Sequence, residues 1–518
     1  MSITSYLFRK IAARRQREID HILNNPVEVM DEKLKSILKH HQDTVLGRRF
    51  GFDSIRTPDE YQERVPLFDY YSLEPYIKQV YENPGGRILT ADPVFWYLQT
   101  SGSSGEPKKL PITERGYKDY GTGSTLLWMA YVNQNPENAK VLDGTMLMFG
   151  AAAEMDRING VPLGYASGVS PRMANPLFKR LLKPGEDVFN IMDMDRKLKI
   201  YAEYAVRHDI TALIGITTLC LAFVRRMQDE YGLWLMDRLK GTMHEEKVRN
   251  VMNGDGTLEL NELWPNLKQL IAGGIDTDPY RDWMKRTLPN MQFCEVYSSS
   301  EGWYASQMFE EPGVQILPNL NYLEFIPEVD TDKEEPETIP LSEVKKGCRY
   351  EMVLTNIGGY YRYRLGDMMT FTSIDPYTIR HIGRKGKISN LSGEKISDSH
   401  VIKSIAAACR KSGTELVDYS VVGQVRKDTG QGYYTIAAMF RNDEIDAVDF
   451  VDAFEEHMKS INEEFRVVRE MGGIGPTILR KLRASLVEEI IRATGSIQAK
   501  PIPLTMDTSV LELCEETA

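Results

Sequence analysis

The stretch VFWYLQTSGSSGEPKK, Val94 to Lys109, decides how this chain reads. Its first seven residues, Val94 to Thr100, form an apolar, aromatic-rich run that predicts a strand. Ser101 to Gly105 then places three hydroxyls and two glycines in succession, and Lys108 and Lys109 follow. A helical pattern begins near Glu114. Glycines let the backbone approach an anion closely, hydroxyls and free N–H groups donate to phosphate oxygens, and lysines balance charge. The G-x-x-x-x-G-K-[ST] spacing of a Walker A loop is absent. A plain turn remains the alternative.

Outward from this loop, Thr145–Phe149, Ile210–Ile214, Leu267–Ile271 and Phe293–Tyr297 read as strands, with a helix over Thr217–Tyr231. Strands alternating with helices predict α/β layers around parallel sheet. The first 65 residues look helical, with Leu34, Ile37 and Leu38 at helical spacing. From Asn319 to Phe371 the pattern becomes strands joined by turns, and Ile357–Gly359 (IGG) signals a hairpin. A stretch rich in Gly, Ser and Lys, His381–Gly393, marks a boundary. Beyond it the order is a helix over Ser397–Ser412, strands over Asp418–Val425 and Tyr433–Phe440, a helix over Asp446–Glu470, a strand, and a helix over Ser485–Thr494. The expected fold is therefore α/β. A large N-terminal domain, residues 1–383, combines α/β layers with an antiparallel part. A hinge at about 383–387 leads to a small mobile α+β domain, residues 388–518.

Composition bounds the function. The chain has 518 residues, 42% hydrophobic and 26% charged, with a net charge of −11. That mixture excludes wholesale disorder, a collagen-like chain and a coiled-coil rod. The acidic balance disfavours nucleic acid as a partner, so any anion site must be built locally. Five cysteines lie far apart with no CxxC pair, which reads as free thiols in a reducing, cytoplasmic setting. The longest apolar stretch, Thr211–Val224, is too short to span a membrane. The N-terminus, MSITSYLFRKIAARRQREID, is basic but lacks an apolar signal core. It reads as an amphipathic helix covering the core, with membrane-surface binding as the alternative.

Three further motifs carry polar chemistry at strand ends. Tyr297–Glu301 (YSSSE) offers a tyrosine that can stack on a purine, hydroxyls for a phosphate and a carboxylate for Mg²⁺. Tyr363–Asp367 (YRLGD), expected on a hairpin, ends in an aspartate able to accept both ribose hydroxyls. Ala272–Gly274 (AGG) would let a flat ring lie against the backbone through Gly273 and Gly274. From Arg362 to Lys395 there are seven Lys/Arg and three acids, a basic stretch in an acidic protein and a reasonable polyphosphate surface. Two tempting signals fail. Asn253–Gly256 resembles a calcium loop but has Val251 where its first carboxylate belongs. Met471–Pro476 (MGGIGP) lacks G-x-G-x-x-G order. No H-E-x-x-H pair and no nucleophile elbow is present.

Taken in order, TSGSSGEPKKLP, YSSSE, YRLGD and the basic hinge resemble the adenylate-forming enzymes. They most resemble the auxin-responsive Gretchen Hagen family, the acyl acid amido synthetases of plants and their bacterial relatives. The resemblance runs nearly the full length, from VPLFDYYSLEPYI (Val65–Ile77) to GGIGPTIL and SIQAKP (Ser496–Pro501). It implies that Ser101, Ser103 and Ser104 meet the ATP phosphates. Tyr297 would stack on adenine, Ser299 and Ser300 would lie near the α-phosphate, Glu301 would help place Mg²⁺, and Asp367 would hold the ribose. Arg384 falls where the family has an arginine by the hinge, and Lys395 and Lys500 match lysines of the mobile domain. The family's arginine after K-x-P is absent, since Ile502 follows Pro501. The hinge SGEK looks more like general acyl-activating enzymes than the plant TDK, and the member of the family that the chain resembles is a bacterial-type one.

The implied reaction has two steps. A substrate carboxylate attacks the α-phosphorus of ATP, giving an acyl-adenylate and pyrophosphate, and an amine, commonly an amino acid, then displaces AMP. The expected cofactors are ATP and Mg²⁺, and the partners are a small carboxylic acid and an amine. Nucleic acid and membrane are not expected, and the chain should be a monomer or weak homo-oligomer. The acid pocket is expected to draw on Met148–Met155 and Ile214–Phe223. Two alternatives stay open: a ligase with a thiol acceptor such as coenzyme A, and a nucleotide-binding module without catalysis.

Overall fold

A computed structural model describes residues 2–100, 108–174, 176–191, 193–273, 278–384, 388–414, 416–440, 445–486, 489 and 503–515. Among these, twelve strands form one large sheet. Its order across the sheet is Ile339–Pro340, Tyr322–Pro327, Arg349–Thr355, Tyr363–Ile374, Tyr377–Arg384, Val314–Ile316, Trp303–Ser306, Gln292–Ser298, Gln269–Gly273, Ile210–Ile216, Thr145–Phe149 and Leu182–Lys183. Every pairing up to Gln292–Ser298 is antiparallel. Every pairing beyond it is parallel. Both halves predicted by the residue patterns are thus present in one continuous sheet. The strand Gln292–Ser298, which carries the start of YSSSE, is where they meet.

The parallel strands read as near-continuous apolar runs because both faces are covered. Helices Met194–Arg207 and Thr217–Asp229 bury Tyr201, Ala202, Phe223 and Val224 on one side. The long helix Glu114–Gln134 buries Leu126, Leu127, Trp128 and Met129 on the other. The helical N-terminal region packs Leu34, Ile37 and Leu38 into the core of the antiparallel half. His41 joins the two: its ring meets the Ile357 carbonyl at 3.1 Å and the Ala91 amide donates to it at 3.0 Å.

Local readings change in three places. Val94–Gln99 does not join the main sheet. It pairs antiparallel with Lys109–Thr113 and parallel with Val161–Gly164 in a separate four-stranded sheet. The Ser/Gly loop therefore links two antiparallel strands and does not run directly from strand to helix. The five-residue return strand was too short to stand out, and the helix starts immediately after it, capped by Thr113. YRLGD lies on a hairpin, as expected: its strand Tyr363–Ile374 pairs antiparallel with Arg349–Thr355, and Gly366 has φ 72°. The helix expected over Asp446–Glu470 breaks into Ala447–Ile461 and Glu463–Glu470, because Asn462 caps the second piece by accepting from the Phe465 amide at 2.8 Å. The helix expected over Thr217–Tyr231 ends at Asp229, and a second begins at Tyr231.

The C-terminal part has its own sheet, ordered Ile478–Lys481, Gly432–Phe440, Leu416–Val425 and Leu504–Thr505. Its core includes Val401, Ile405, Tyr434, Ile436, Phe450 and Phe465. Residues 385–387, in the expected hinge, lie outside the described residues, as does most of the helix expected over Ser485–Thr494.

Candidate nucleotide site

A side-chain hydrogen bond joins YSSSE and YRLGD, whose strands belong to one sheet but are separated in it by three others. The Tyr297 hydroxyl donates to Asp367 Oδ2 at 2.8 Å, across 70 residues of sequence. Tyr297 is 6% exposed and Asp367 8%. A hydroxyl buried to that degree needs a partner, and a carboxylate is a strong one. One face of the Tyr297 ring is packed on Tyr304, centroids 4.8 Å apart. Asp367 is also the register partner of Arg384 on the neighbouring strand; the Arg384 side chain lies outside the described residues.

After Tyr297 the chain makes a tight turn, closed by the Ser299 amide donating to Gly302 O at 2.8 Å. Ser299 Oγ donates to the Glu301 carboxylate and shares a 2.6 Å hydrogen bond with the Tyr304 hydroxyl. The Tyr120 hydroxyl donates to Ser299 O, and Asn356 Nδ2 donates to Glu301 O at 2.7 Å. Glu301 is thereby fixed from two sides, at 8% exposure. Ser300 is half-buried beside it. Burial, reinforced by the Glu301 charge, holds the Tyr304 hydroxyl well above the ordinary tyrosine range, so it stays protonated. Tyr120 and Asn356 were invisible to motif reading; only the TNIGG run around Asn356 hinted at it, as part of a hairpin signal.

Gly273 ends the neighbouring parallel strand. A Cβ there would lie 2.4 Å from Val296 O, so close strand approach alone requires glycine at this position. Gly274 lies outside the described residues, as do Ser101, Ser103, Ser104 and Lys500. The two ends of the Ser/Gly loop are pinned to each other. The Thr100 amide donates to Lys108 O, and the Lys108 amide donates to Thr100 Oγ1, both at 2.9 Å. Lys109 O accepts from the Tyr81 hydroxyl at 2.5 Å, and Tyr81 is in electrostatic reach of Tyr360, itself coupled to Glu301. Beside the loop, Gln99 Nε2 donates to the Tyr165 hydroxyl at 3.3 Å.

The expected acid-pocket segment Met148–Met155 forms the carboxyl end of its strand and the loop beyond. Lys197, 6% exposed, donates to Gly150 O at 2.8 Å and Phe189 O at 3.0 Å, and burial pushes its amine down to about 8. Tyr201 donates to Met148 O at 2.5 Å.

In the C-terminal domain, Lys395 sits at φ 40° and pairs with Glu464 at 3.3 Å. The neighbouring Glu394 is fully buried and shapes this loop. It accepts from the Leu391 and Ser392 amides, both at 2.7 Å, and from the Tyr434 hydroxyl. Burial raises its carboxyl above the ordinary range. Asn462 Nδ2 donates to Glu394 O at 3.0 Å. Tyr165 of the large domain lies in electrostatic reach of Glu463 and Glu464. Three large-domain arginines hold main-chain carbonyls of the small domain. Arg226 reaches Glu470 O and, at 3.3 Å, Met471 O; Arg225 reaches Thr429 O at 2.9 Å; Arg286 reaches Asp428 O at 3.4 Å.

Comparison with known proteins bears on this arrangement. The GH3 family N-terminal domain matches residues 15–253, and the GH3 family central domain matches residues 314–384. The chain is 23% identical over 527 residues to an indole-3-acetic acid-amido synthetase of Arabidopsis thaliana, covering 89% of this chain and 94% of that protein. It is 21% identical over 538 residues to a 4-substituted benzoates-glutamate ligase of the same plant, covering 92% and 91%. It is 23% identical over 472 residues to a jasmonoyl-L-amino acid synthetase of Nicotiana attenuata, covering 81% and 80%. Among solved structures, the GH3.15 acyl acid amido synthetase in complex with 2,4-DB superposes with a TM-score of 0.62 at 16% identity, covering 98% and 95%. That likeness shows the same fold, and a 2-hydroxyisobutyryl-CoA ligase shares it at a TM-score of 0.50 and 14% identity.

Proposed function

Because the chain belongs to the GH3 family, whose N-terminal and central domains it carries, we propose that it is an ATP-dependent ligase that activates a small carboxylic acid as its adenylate. It then transfers the acyl group to an amine, an amino acid by the precedent of its relatives. It would be a bacterial-type member of that family. The observation that carries this reading is the buried Tyr297–Asp367 hydrogen bond. It brings together YSSSE and YRLGD, the two motifs that would meet the base and the ribose.

Asp367 would accept the ribose hydroxyls, and Tyr297 would offer its ring to the base. Ser101, Ser103 and Ser104 would donate to the phosphates, with Ser299 and Ser300 beside the α-phosphate, Arg384 at the hinge, and Gly273 and Gly274 along the nucleotide. Among the described residues, no cluster of three or more acidic, His or Cys side chains could hold a metal alone. Mg²⁺ on a nucleotide needs only one or two carboxylates, the rest coming from phosphate and water. Glu301, oriented by Ser299, fits that need. When bound, the ion would neutralise phosphate charge.

Both reactants of the first step are anions, so Lys500 and Lys395 would offset the charge developing at the α-phosphate. The oxygen of the acid bonds to phosphorus and pyrophosphate leaves. In the second step the amine nitrogen bonds to the acyl carbon, the carbon–oxygen bond to AMP breaks, and a proton is released. No side-chain nucleophile is required. The small domain, after residues 383–387, would turn between two orientations for the two steps.

The test is acid-dependent ATP–pyrophosphate exchange with a panel of acids, followed by amine and thiol acceptors. Exchange with one class of acid, and release of AMP with amino acids but not with coenzyme A, is the expected result. Exchange followed by thioester formation only would overturn the acceptor; absence of exchange across the panel, in protein shown to bind ATP, would overturn the activity.

A further inference from the structure

The helix Ile3–Arg14 has two apolar faces. One buries Ser5, Phe8 and Ala12 against the body of the protein. The other carries Ile3, Leu7 and Ile11, at 80%, 54% and 47% exposure, with Tyr6 at 48%. Spacings of four residues align Ile3, Leu7 and Ile11 along one side of a helix. The helix is held rigidly in place. The Ser2 amide donates to Asp143 Oδ1 at 2.8 Å, the Ser5 hydroxyl donates to the same oxygen, and Asn133 Nδ2 donates to Ala12 O at 3.0 Å. The outward face is therefore preformed.

Its charge is as distinctive as its apolarity. The first 17 residues hold five basic side chains, Arg9, Lys10, Arg14, Arg15 and Arg17, and no acid, in a chain of net charge −11. Arg9 and Lys10 lie over the Tyr6 ring at 5.8 and 5.6 Å. Arg15 pairs with Glu18 on the next helix. Apolar side chains interleaved with long cations on one exposed face are the composition of helices that lie in the plane of a bilayer interface. There the apolar groups enter the acyl boundary and the cations reach the headgroups.

We propose that this helix docks the protein reversibly on an anionic lipid surface. Two other occupants fit less well. Nucleic acid would satisfy the cations but offers nothing to Ile3, Leu7 and Ile11. A second copy of the chain needs roughly 800 Å² per partner for a stable interface, and one face of a helix about 18 Å long supplies a small part of that. A bilayer takes such a helix singly.

The experiment is co-sedimentation of the full chain with equimolar phosphatidylcholine–phosphatidylglycerol vesicles and with phosphatidylcholine alone. Binding to the anionic vesicles, at least about tenfold weaker on neutral ones and released by high salt, is expected. Leu7→Asp with Ile11→Asp, and separately Lys10→Glu with Arg14→Glu, should each weaken binding at least about tenfold with an unchanged melting temperature. No binding to either vesicle, or equal binding to both, would overturn the proposal. So would a dimer seen by light scattering that the Asp variants dissociate, since the face would then be a subunit interface.

Discussion

The large-domain and small-domain halves of the proposed site are built in opposite ways. Around Tyr297, Glu301 and Asp367, each anchoring group sits on a strand or tight turn of one sheet and is held by buried partners: Tyr297 by Asp367, Glu301 by Ser299 and Asn356. Lys395 instead rides on a loop shaped by Glu394 and Asn462 within the small domain. That domain meets the large one through arginines on carbonyls and through Met471 and Val467 packed on the large-domain core. The first half is preorganised by sheet pairing. The second is a separate domain mounted on the large one through these contacts.

The strongest way to break this comparison is to remove one group from each half. Asp367→Ala should abolish ATP binding as well as exchange, because it also leaves the buried Tyr297 hydroxyl without its acceptor. Lys500→Ala should leave ATP binding nearly unchanged. It should lower acid-dependent pyrophosphate exchange by about 3 to 4 kcal/mol, on the order of a hundred- to thousandfold, while sparing amide formation from a pre-made adenylate. Near-normal exchange in Lys500→Ala would move the role to Lys395.

A smaller effect distinguishes the halves by pH. Burial, with His40 adding to it, pushes the His41 imidazole down to about 3 from 6.5. The native state therefore resists a proton that the unfolded chain accepts. Stability from this group is full above pH 6.5 and is lost as pH falls toward 3, about 2 kcal/mol between pH 6.5 and 5. His41 ties the N-terminal helices to the Ile357 turn beside Asn356, so the large domain should soften first in acid. Urea melts of wild type and His41→Gln at pH 5 and 7, read in each domain, would show it; equal acid sensitivity in both proteins would sink the assignment.

Arg226→Ala probes the mount. Losing its bonds to Glu470 O and Met471 O should change the ratio of the two half-reaction rates by about tenfold, the size of a typical coupling energy. Equal slowing of both steps would show that Arg226 only supports the fold. The smallest expected effect is at Lys197. Its amine is depressed to about 8 from 10.5 by burial, so the unfolded chain holds the proton more tightly. Stability should rise with pH between 8 and 10.5, by about 1 kcal/mol from pH 8 to 9. Lys197→Met should flatten that rise in thermal melts.

The residues by themselves determined the elements and most of the motif chemistry. Strand runs such as Ile210–Ile214, the switch to antiparallel strands after Asn319 and the two-domain order are local patterns of period and punctuation, which short-range sterics and burial impose. YSSSE and YRLGD could be singled out as candidates because their polar groups lie in consecutive residues. Tertiary structure decided how they meet. Tyr297 reaches Asp367 by a side-chain contact between two strands that do not pair with each other, and Tyr120 and Asn356 reach the YSSSE turn from a helix and a hairpin that no spacing rule connects to it. The same holds for smaller features. The return strand Lys109–Thr113 exists because Val94–Gln99 offers it a partner. Asn462 ends one helix and starts another because its side chain finds the Phe465 amide and the Glu394 carbonyl. Pairing and capping depend on which groups arrive within hydrogen-bond distance, and only the folded chain sets that distance.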